Sequence, residues 1–142
     1  MLISQTKRAY LAGFLDGDGS IYVQLKPNKT YKFGFQIAPY IVLFQSQKDQ
    51  KNFEQLCSMI NLGYMRIRKD GILEYIIGKQ ENITKFINLV EPYVIMKKLQ
   101  AWFIMRKGMP ITKHLYLPNI IPLINIFIVL TSKGKTLILI IA

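Results

Sequence analysis

Two aspartates separated by one glycine, Asp16 and Asp18, follow the apolar run Leu11-Ala-Gly-Phe-Leu15 and are themselves followed by Gly19. His114 and Cys57 are the only residues of their kinds, so zinc sites built from several Cys and His ligands are excluded. A metal here needs oxygen ligands, which points to Mg²⁺ or a similar hard ion. The apolar spacing of Ala9, Tyr10, Gly13 and Phe14 predicts a helix over Thr6 to Leu15, capped by Ser4 or Thr6, and Asp16-Gly-Asp-Gly-Ser20 is expected to break it. The aspartates then sit at a helix C-terminus, where the dipole disfavours a carboxylate by about 0.3–1 kcal/mol. Two carboxylates placed against that dipole point to a compensating cation. An Asp-Gly turn with solvated side chains explains the spacing equally well. A calcium loop of the EF-hand kind fails, because the twelfth position counted from Asp16 is Pro27 rather than Glu.

Gly13 and Gly17, four apart with Ala12 nearby, leave one face of this helix nearly flat. Each glycine lowers helix stability by about 1 kcal/mol relative to alanine. A second backbone that must come close is the reason to carry them.

The chain has 142 residues, enough for one domain with a real core, and 51% of them are apolar, which excludes a disordered class. Nineteen Lys+Arg against eight Asp+Glu give a net charge of +11. A field of that sign attracts polyanions, nucleic acid first and an anionic membrane surface second; a merely soluble basic protein is the plain alternative. One cysteine permits no internal disulfide and fits a reducing compartment. The first residues do not resemble a secretory signal. Apolar runs at Ile120 to Leu130 and Leu137 to Ala142 are shorter than the roughly 17–25 residues that cross a bilayer, and are expected to be buried or covered by a partner. The preference for Lys over Arg, with many Ile and Asn, hints at AT-rich codons and an organellar gene.

The elements that must position the aspartates can be read along the chain. Ile21 to Lys26 alternates, with Ile21, Val23 and Leu25 inward and Tyr22, Gln24 and Lys26 outward, as in a half-buried strand. Pro27 to Thr30 is a turn, and Tyr31 to Ile37 alternates again, with Phe33, Phe35 and Ile37 inward and Lys32, Gly34 and Gln36 outward. Pro39 is expected to demote or bulge this second strand before Ile41 to Phe44 resumes it. Asp49 to Ile60 reads as a helix ended near Gly63, Tyr64 to Arg68 and Ile72 to Ile77 as a hairpin, Asn82 to Val90 as a helix stopped by Pro92, and Lys97 to Lys107 as another. Hairpins with helices on one side make an α+β layer.

Leu11 to Gly19 resembles the LAGLIDADG motif, and Ile21 through Pro27, Gln47-Lys-Asp49, Leu62-Gly-Tyr64 and Lys97-Lys-Leu-Gln-Ala101 are similar to the single-motif homing endonucleases of that name. The resemblance covers about the first three quarters of the chain. It implies an αββαββα fold with a saddle-shaped antiparallel sheet, an endonuclease core over residues 1–108, and a divergent apolar tail over 109–142. It implies a homodimer that cuts a long pseudo-palindromic double-stranded DNA site with Mg²⁺ or Mn²⁺ and leaves short 3′ overhangs. In that scheme Leu11, Ala12, Gly13, Asp16 and Gly17 lie at the seam between two motif helices. Asp18 is the metal ligand, aided by the Gly17 carbonyl. Asp16 has a more structural, helix-end role. Gln47, with Gln45 as its rival, orders water at the metal, and Lys97, with Lys98 beside it, supplies positive charge. The family's home in organellar introns implies a mitochondrion or chloroplast, and the shortness of the apolar runs leads to the expectation of no membrane partner.

The outward set Tyr22, Gln24, Lys26, Asn28, Tyr31, Lys32 and Gln36 suits a β-ribbon in a major groove, where Gln, Asn and Lys reach base edges. Arg66, Arg68 and Glu74 of the second hairpin can add guanine and cytosine contacts. Any one of these is equally well a solvated strand residue; the alternation of the whole set favours a reading surface. Ser132 to Thr136 ends like a phosphate-binding loop, but Val129 stands where its first glycine is required. Trp102 and Phe103 are expected in the core. The rival readings are a maturase that binds intron RNA and a DNA-binding remnant without cleavage, the latter favoured by the odd tail.

Overall fold

The computed structural model describes residues 2–30, 35–98, 101, 126–130 and 137–141. Helix α1 spans Gln5–Asp18, and the Ser4 hydroxyl caps it by accepting the Lys7 N–H at 3.4 Å. It therefore runs through Asp16 and Gly17, which were expected to break it. Aspartate disrupts helices when its carboxylate takes nearby backbone N–H groups. Here the Asp16 carboxylate is drawn to distant ones, described below. The helix ends where Gly19, extended at φ −114°, starts strand β1, Gly19–Pro27. A Cβ on Gly19 would lie 2.7 Å from the Leu15 carbonyl oxygen, so only glycine makes this corner.

Strand β1 pairs antiparallel with β2, Phe35–Ser46, from Gly19 opposite Leu43 to Pro27 opposite Phe35. The Asn28 Oδ1 holds the turn by accepting the N–H and hydroxyl of Thr30 at 3.0 and 2.7 Å. Pro39 causes no bulge, because the register passes unbroken through Val23 opposite Pro39. Strand β4, Ile72–Ile77, pairs only with Ile41–Ser46. Among the described residues, β2 thus has a neighbour at Pro39 on the β1 side alone, and a missing N–H is tolerated there.

After β2 a 3-10 turn, Gln47–Asp49, leads into α2, Gln50–Ile60. Asn61, left-handed at φ 48°, ends α2. Gly63 serves packing instead: a Cβ there would fall 2.2 Å from the Ile76 carbonyl oxygen. Strand β3, Tyr64–Ile67, pairs with β4, and α3, Gln80–Val90, closes the second αββ half before Pro92. The Ala101 N–H bonds the Lys97 carbonyl at 3.0 Å, the start of the expected last helix; its continuation to Lys107, with Trp102 and Phe103, lies outside the described residues.

The two apolar runs of the tail contain strands β5, Ile126–Leu130, and β6, Leu137–Ile141, which pair as a hairpin. β6 adds to the edge of β1 with Val23 opposite Leu139, giving the sheet order β3-β4-β2-β1-β6-β5. Among the described residues no helix is long and apolar enough to cross a membrane.

Helices α1, α2 and α3 pack on one sheet face. Ile21, Ile41, Leu43, Leu73, Tyr75 and Ile77 meet Leu11 and Leu15 of α1, Phe53 and Cys57 of α2, and Ile83, Phe86 and Ile87 of α3. Each buried aliphatic or aromatic chain contributes about 1.5–3 kcal/mol. Arg8 fixes the start of α1 by donating to the Leu89 and Asn88 carbonyls, at 2.7 and 3.1 Å. These are end-of-helix acceptors of α3 that lack a partner within the helix.

Candidate functional site

The end of α1 is joined to the segment after α3. One Asp16 carboxylate oxygen accepts the N–H groups of Ile95 and Met96 at 2.8 and 3.1 Å, and the other accepts that of Lys97 at 3.0 Å. The Lys97 ammonium donates to the Asp16 carbonyl oxygen at 2.6 Å. That carbonyl belongs to the last turn of α1, where acceptors are unsatisfied and the dipole favours a cation. Partial burial pushes the Asp16 carboxyl up, but the three N–H bonds and the Lys97 charge outweigh it and hold the group below the usual aspartate range. The compensating cation inferred from sequence is thus in part the chain's own lysine. Lys98 is exposed.

Asp18 is different. Its side chain is exposed, and among the described residues no hydrogen bond or ion pair engages it. Of the carbonyls at this helix end, Leu15 receives the Gly19 N–H and Asp16 the Lys97 ammonium. Gly17 offers the next one along. Among the described residues no three His, Cys, Asp or Glu side chains gather into a metal cage. One carboxylate with helix-end carbonyls fits a hard cation that takes its remaining ligands from elsewhere, as Mg²⁺ does when it bridges one or two carboxylates and phosphate oxygens.

Both candidate glutamines lie near this corner. Gly19 faces Leu43 across the β1–β2 pair, so Gln45 is two residues along β2 from the point where α1 meets the sheet. Gln45 pairs with Leu73 and shares the helix-side face, with its Oε1 accepting the Ser46 N–H at 2.8 Å. Gln47 has left the strand; its backbone N–H bonds the Gly71 carbonyl at 2.9 Å, and its side chain is exposed.

The register puts the outward residues on the face opposite the helices. Tyr22 lies opposite Tyr40, Gln24 opposite Ala38, Lys26 opposite Gln36, and Arg66 opposite Glu74. The Tyr22 and Tyr40 rings stack with centroids 5.3 Å apart, and the Lys26 ammonium stands 5.0 Å from the centre of the Tyr40 ring. Burial, and then the neighbouring Tyr40, raise the Tyr22 phenol above its ordinary value. Arg66 donates Nε to Glu74 at 2.8 Å, and Arg68 binds Asp70 at 2.6 Å with Glu74 at 3.7 Å. Glu74, expected as a base contact, is instead only 7% exposed and holds the two arginines in place. Asn28 sits in the turn between β1 and β2; Tyr31 and Lys32 lie outside the described residues. Tyr40 is the member of this face that the alternation missed, because Pro39 obscured the continuation of the strand.

The seam expectation is corrected at two positions. Leu11 and Ala12 are fully buried in the chain's own core, so their side chains do not reach a second molecule. Asp16 is only partly exposed and its carboxylate is occupied as described. Gly13 and Gly17 are exposed, and among the described residues a Cβ on either meets nothing within 4 Å. Tyr10, 60% exposed, lies along the same side.

This combination, an αββαββ core whose first helix ends in a partnered and a free aspartate beside an inserted lysine, defines a class. The family model of the LAGLIDADG endonucleases matches residues 11–109, and the chain belongs to that family, among its single-motif homing endonucleases. DNA endonuclease I-CreI of Chlamydomonas reinhardtii is 37% identical over 100 residues, 68% of this chain and 59% of that protein. DNA endonuclease I-CvuI of Chlorella vulgaris is 29% identical over 111 residues, 77% of this chain and 69% of that one. The crystal structure of I-CvuI with the I-CreI target DNA and magnesium matches at a TM-score of 0.68 and 27% identity, over 73% of this chain and 66% of that chain. The matched region thus spans about three fifths of I-CreI.

Proposed function

We propose that this chain is one half of a homodimeric endonuclease that cuts both strands of a specific double-stranded DNA site with divalent metal. The observation that carries the reading is the unequal treatment of the motif aspartates: Asp16 is occupied by three N–H groups, while Asp18 is exposed beside it with the Lys97 ammonium already at the same helix end. Asp18 and the Gly17 carbonyl are the groups that would hold Mg²⁺ or Mn²⁺. When bound, the ion would supply an acidified water and positive charge for the phosphate and leaving oxygens. Lys97 adds a fixed positive charge to the same corner. Of the two glutamines, Gln45 is the better placed to orient water, since it lies in β2 on the α1 side of the sheet, two residues from the position that faces Gly19.

The opposite sheet face enters the major groove. Lys26, Arg66 and Arg68 meet phosphates or guanines, and Tyr22, Gln24, Asn28, Tyr31, Lys32 and Gln36 complete the reading surface. Glu74 acts through the arginines it holds. The net charge of +11 supplies the long-range attraction. The second copy docks along Gly13 and Gly17, where a Cβ on either glycine would meet nothing within 4 Å among the described residues.

The test incubates purified protein and an Asp18→Asn variant with a randomised double-stranded DNA library and Mg²⁺, then sequences the cut ends. A pseudo-palindromic site cut by the unmodified protein alone is the expected result. Enrichment by binding without cutting overturns the enzymatic reading in favour of a DNA-binding remnant. Selective binding of intron RNA, with neither DNA outcome, gives the maturase reading.

A further inference from the structure

We propose that Asp16 is a positioning residue for Lys97, its carboxylate fastening the backbone of residues 95–97 to the end of α1 so that the lysine ammonium reaches the corner beside Asp18. The inference rests on the nuclease reading for its catalytic consequence, but not for the contact itself.

Among the described residues, little else holds residues 95–97 there. Ile95 and Met96 are 83% and 76% exposed, so apolar burial does not seat them; the buried anchors are Val94 before and Ala101 after. Between those anchors, three consecutive N–H groups converge on one carboxylate that lies 79 to 81 residues earlier in the chain. Both carboxylate oxygens are used, which fixes the segment in rotation as well as in distance. The direction in which Lys97 leaves the backbone then follows, and its ammonium ends 2.6 Å from the carbonyl of the same Asp16. A carboxylate serving only as a cap for the turn at Lys97 would not also place that lysine's charge on its own backbone. Lys98, one residue on, is exposed and serves as an internal control.

The test labels lysines of the metal-free, DNA-free protein with N-hydroxysuccinimidyl acetate and reads each site by mass spectrometry, alongside amide hydrogen exchange. In Asp16→Ala, labelling of Lys97 rises several-fold, that of Lys98 is unchanged, and the amides of 95–97 exchange at least about tenfold faster. Asp16→Asn keeps one acceptor oxygen, gives an intermediate result and covers the case in which the alanine variant does not fold. Unchanged Lys97 labelling in either folded variant overturns the proposal. On a cleavable site, single-turnover rates of Asp16→Ala, Lys97→Ala and the double variant form a cycle. A double variant no slower than Lys97→Ala, with DNA affinity retained, is expected; fully additive losses overturn the positioning role. A wild-type protein that cuts nothing defeats the nuclease reading, while the labelling still decides whether Asp16 holds Lys97.

Discussion

Asp16 and Asp18 occupy the same last turn of α1 and have opposite surroundings: the first accepts three backbone N–H groups, and the second is exposed. An exposed carboxylate at a helix C-terminus faces the negative end of the dipole. Among the described residues Asp18 has no hydrogen bond or ion pair of its own, and the Lys97 ammonium donates to the Asp16 carbonyl instead. Replacing Asp18 by Asn therefore removes a local repulsion. We expect Asp18→Asn to be as stable as the parent or more so, by about 0.3–1 kcal/mol in urea unfolding, while site-specific cutting is lost. A clear loss of stability would mean that Asp18 has a structural partner within its own chain.

The glycine face of α1 makes a prediction that separates folding from assembly. A Cβ at Gly13 meets nothing within 4 Å among the described residues, so Gly13→Leu is expected to leave the fold intact and, by helix propensity, to strengthen α1 by up to about 1 kcal/mol. A second helix lying against that face has no room for a leucine. Light scattering is expected to give a monomer with an unchanged circular dichroism spectrum and a melting temperature no lower than that of the isolated parent chain. A Gly13→Leu dimer as tight as the parent's places the seam elsewhere.

The aspartate pair, the first hairpin and the helices after it were legible in the sequence because their signals are local: alternation, 3.6-residue spacing, and Pro or Gly at the ends. The extent of α1 was not, because what lets Asp16 remain in a helix is a set of N–H groups at residues 95–97. The inner and outer faces of α1 were also hidden. Leu11 and Ala12 look as fit for a partner's surface as for a core, and only packing against the sheet decides. Glu74 stands at an outward position, as expected, yet register alone reveals that Arg66 lies directly opposite and covers it. The same holds for Tyr40, whose tie to Tyr22 appears only when the two strands are aligned.

Tyr75 is one source of the fall in stability expected at alkaline pH. Its hydroxyl accepts the N–H groups of Leu62 and Gly63 at 2.9 and 2.8 Å. Burial pushes its phenol above the ordinary value of 10.0, and the two N–H bonds offset only part of that. The folded state thus resists ionisation that the unfolded chain undergoes freely. The stability this contributes is complete below about pH 10 and is lost as pH rises from there through the folded-state value. Burial also pushes the Cys57 thiol up to about 12 and the Tyr22 phenol above its ordinary value. Urea unfolding between pH 8 and 11 should therefore show a combined fall, and Tyr75→Phe should reduce the part above about pH 10. The same substitution leaves two turn N–H groups without an acceptor, a loss of about 1–3 kcal/mol for each one that water cannot reach at neutral pH. A Tyr75→Phe protein with the parent's alkaline slope would assign the effect to another group.

Glu74 offers a test of how the sheet reads DNA. A buried carboxylate between Arg66 and Arg68 restrains both guanidinium groups in fixed positions and cancels part of their charge. Glu74→Gln keeps the shape, removes the negative charge and frees the arginines to follow phosphates. Affinity for non-specific duplex DNA is then expected to rise at low salt, and the slope of log K against log salt to steepen by about 0.9 for each additional phosphate neutralised. Discrimination should fall at the same time at the few base pairs the arginines face, because a restrained guanidinium selects a guanine edge better than a mobile one. Binding to the selected site and to a scrambled duplex across a salt series measures both effects. Equal weakening of the two, with the salt slope unchanged, would mean that Glu74 serves only the stability of the β3–β4 hairpin.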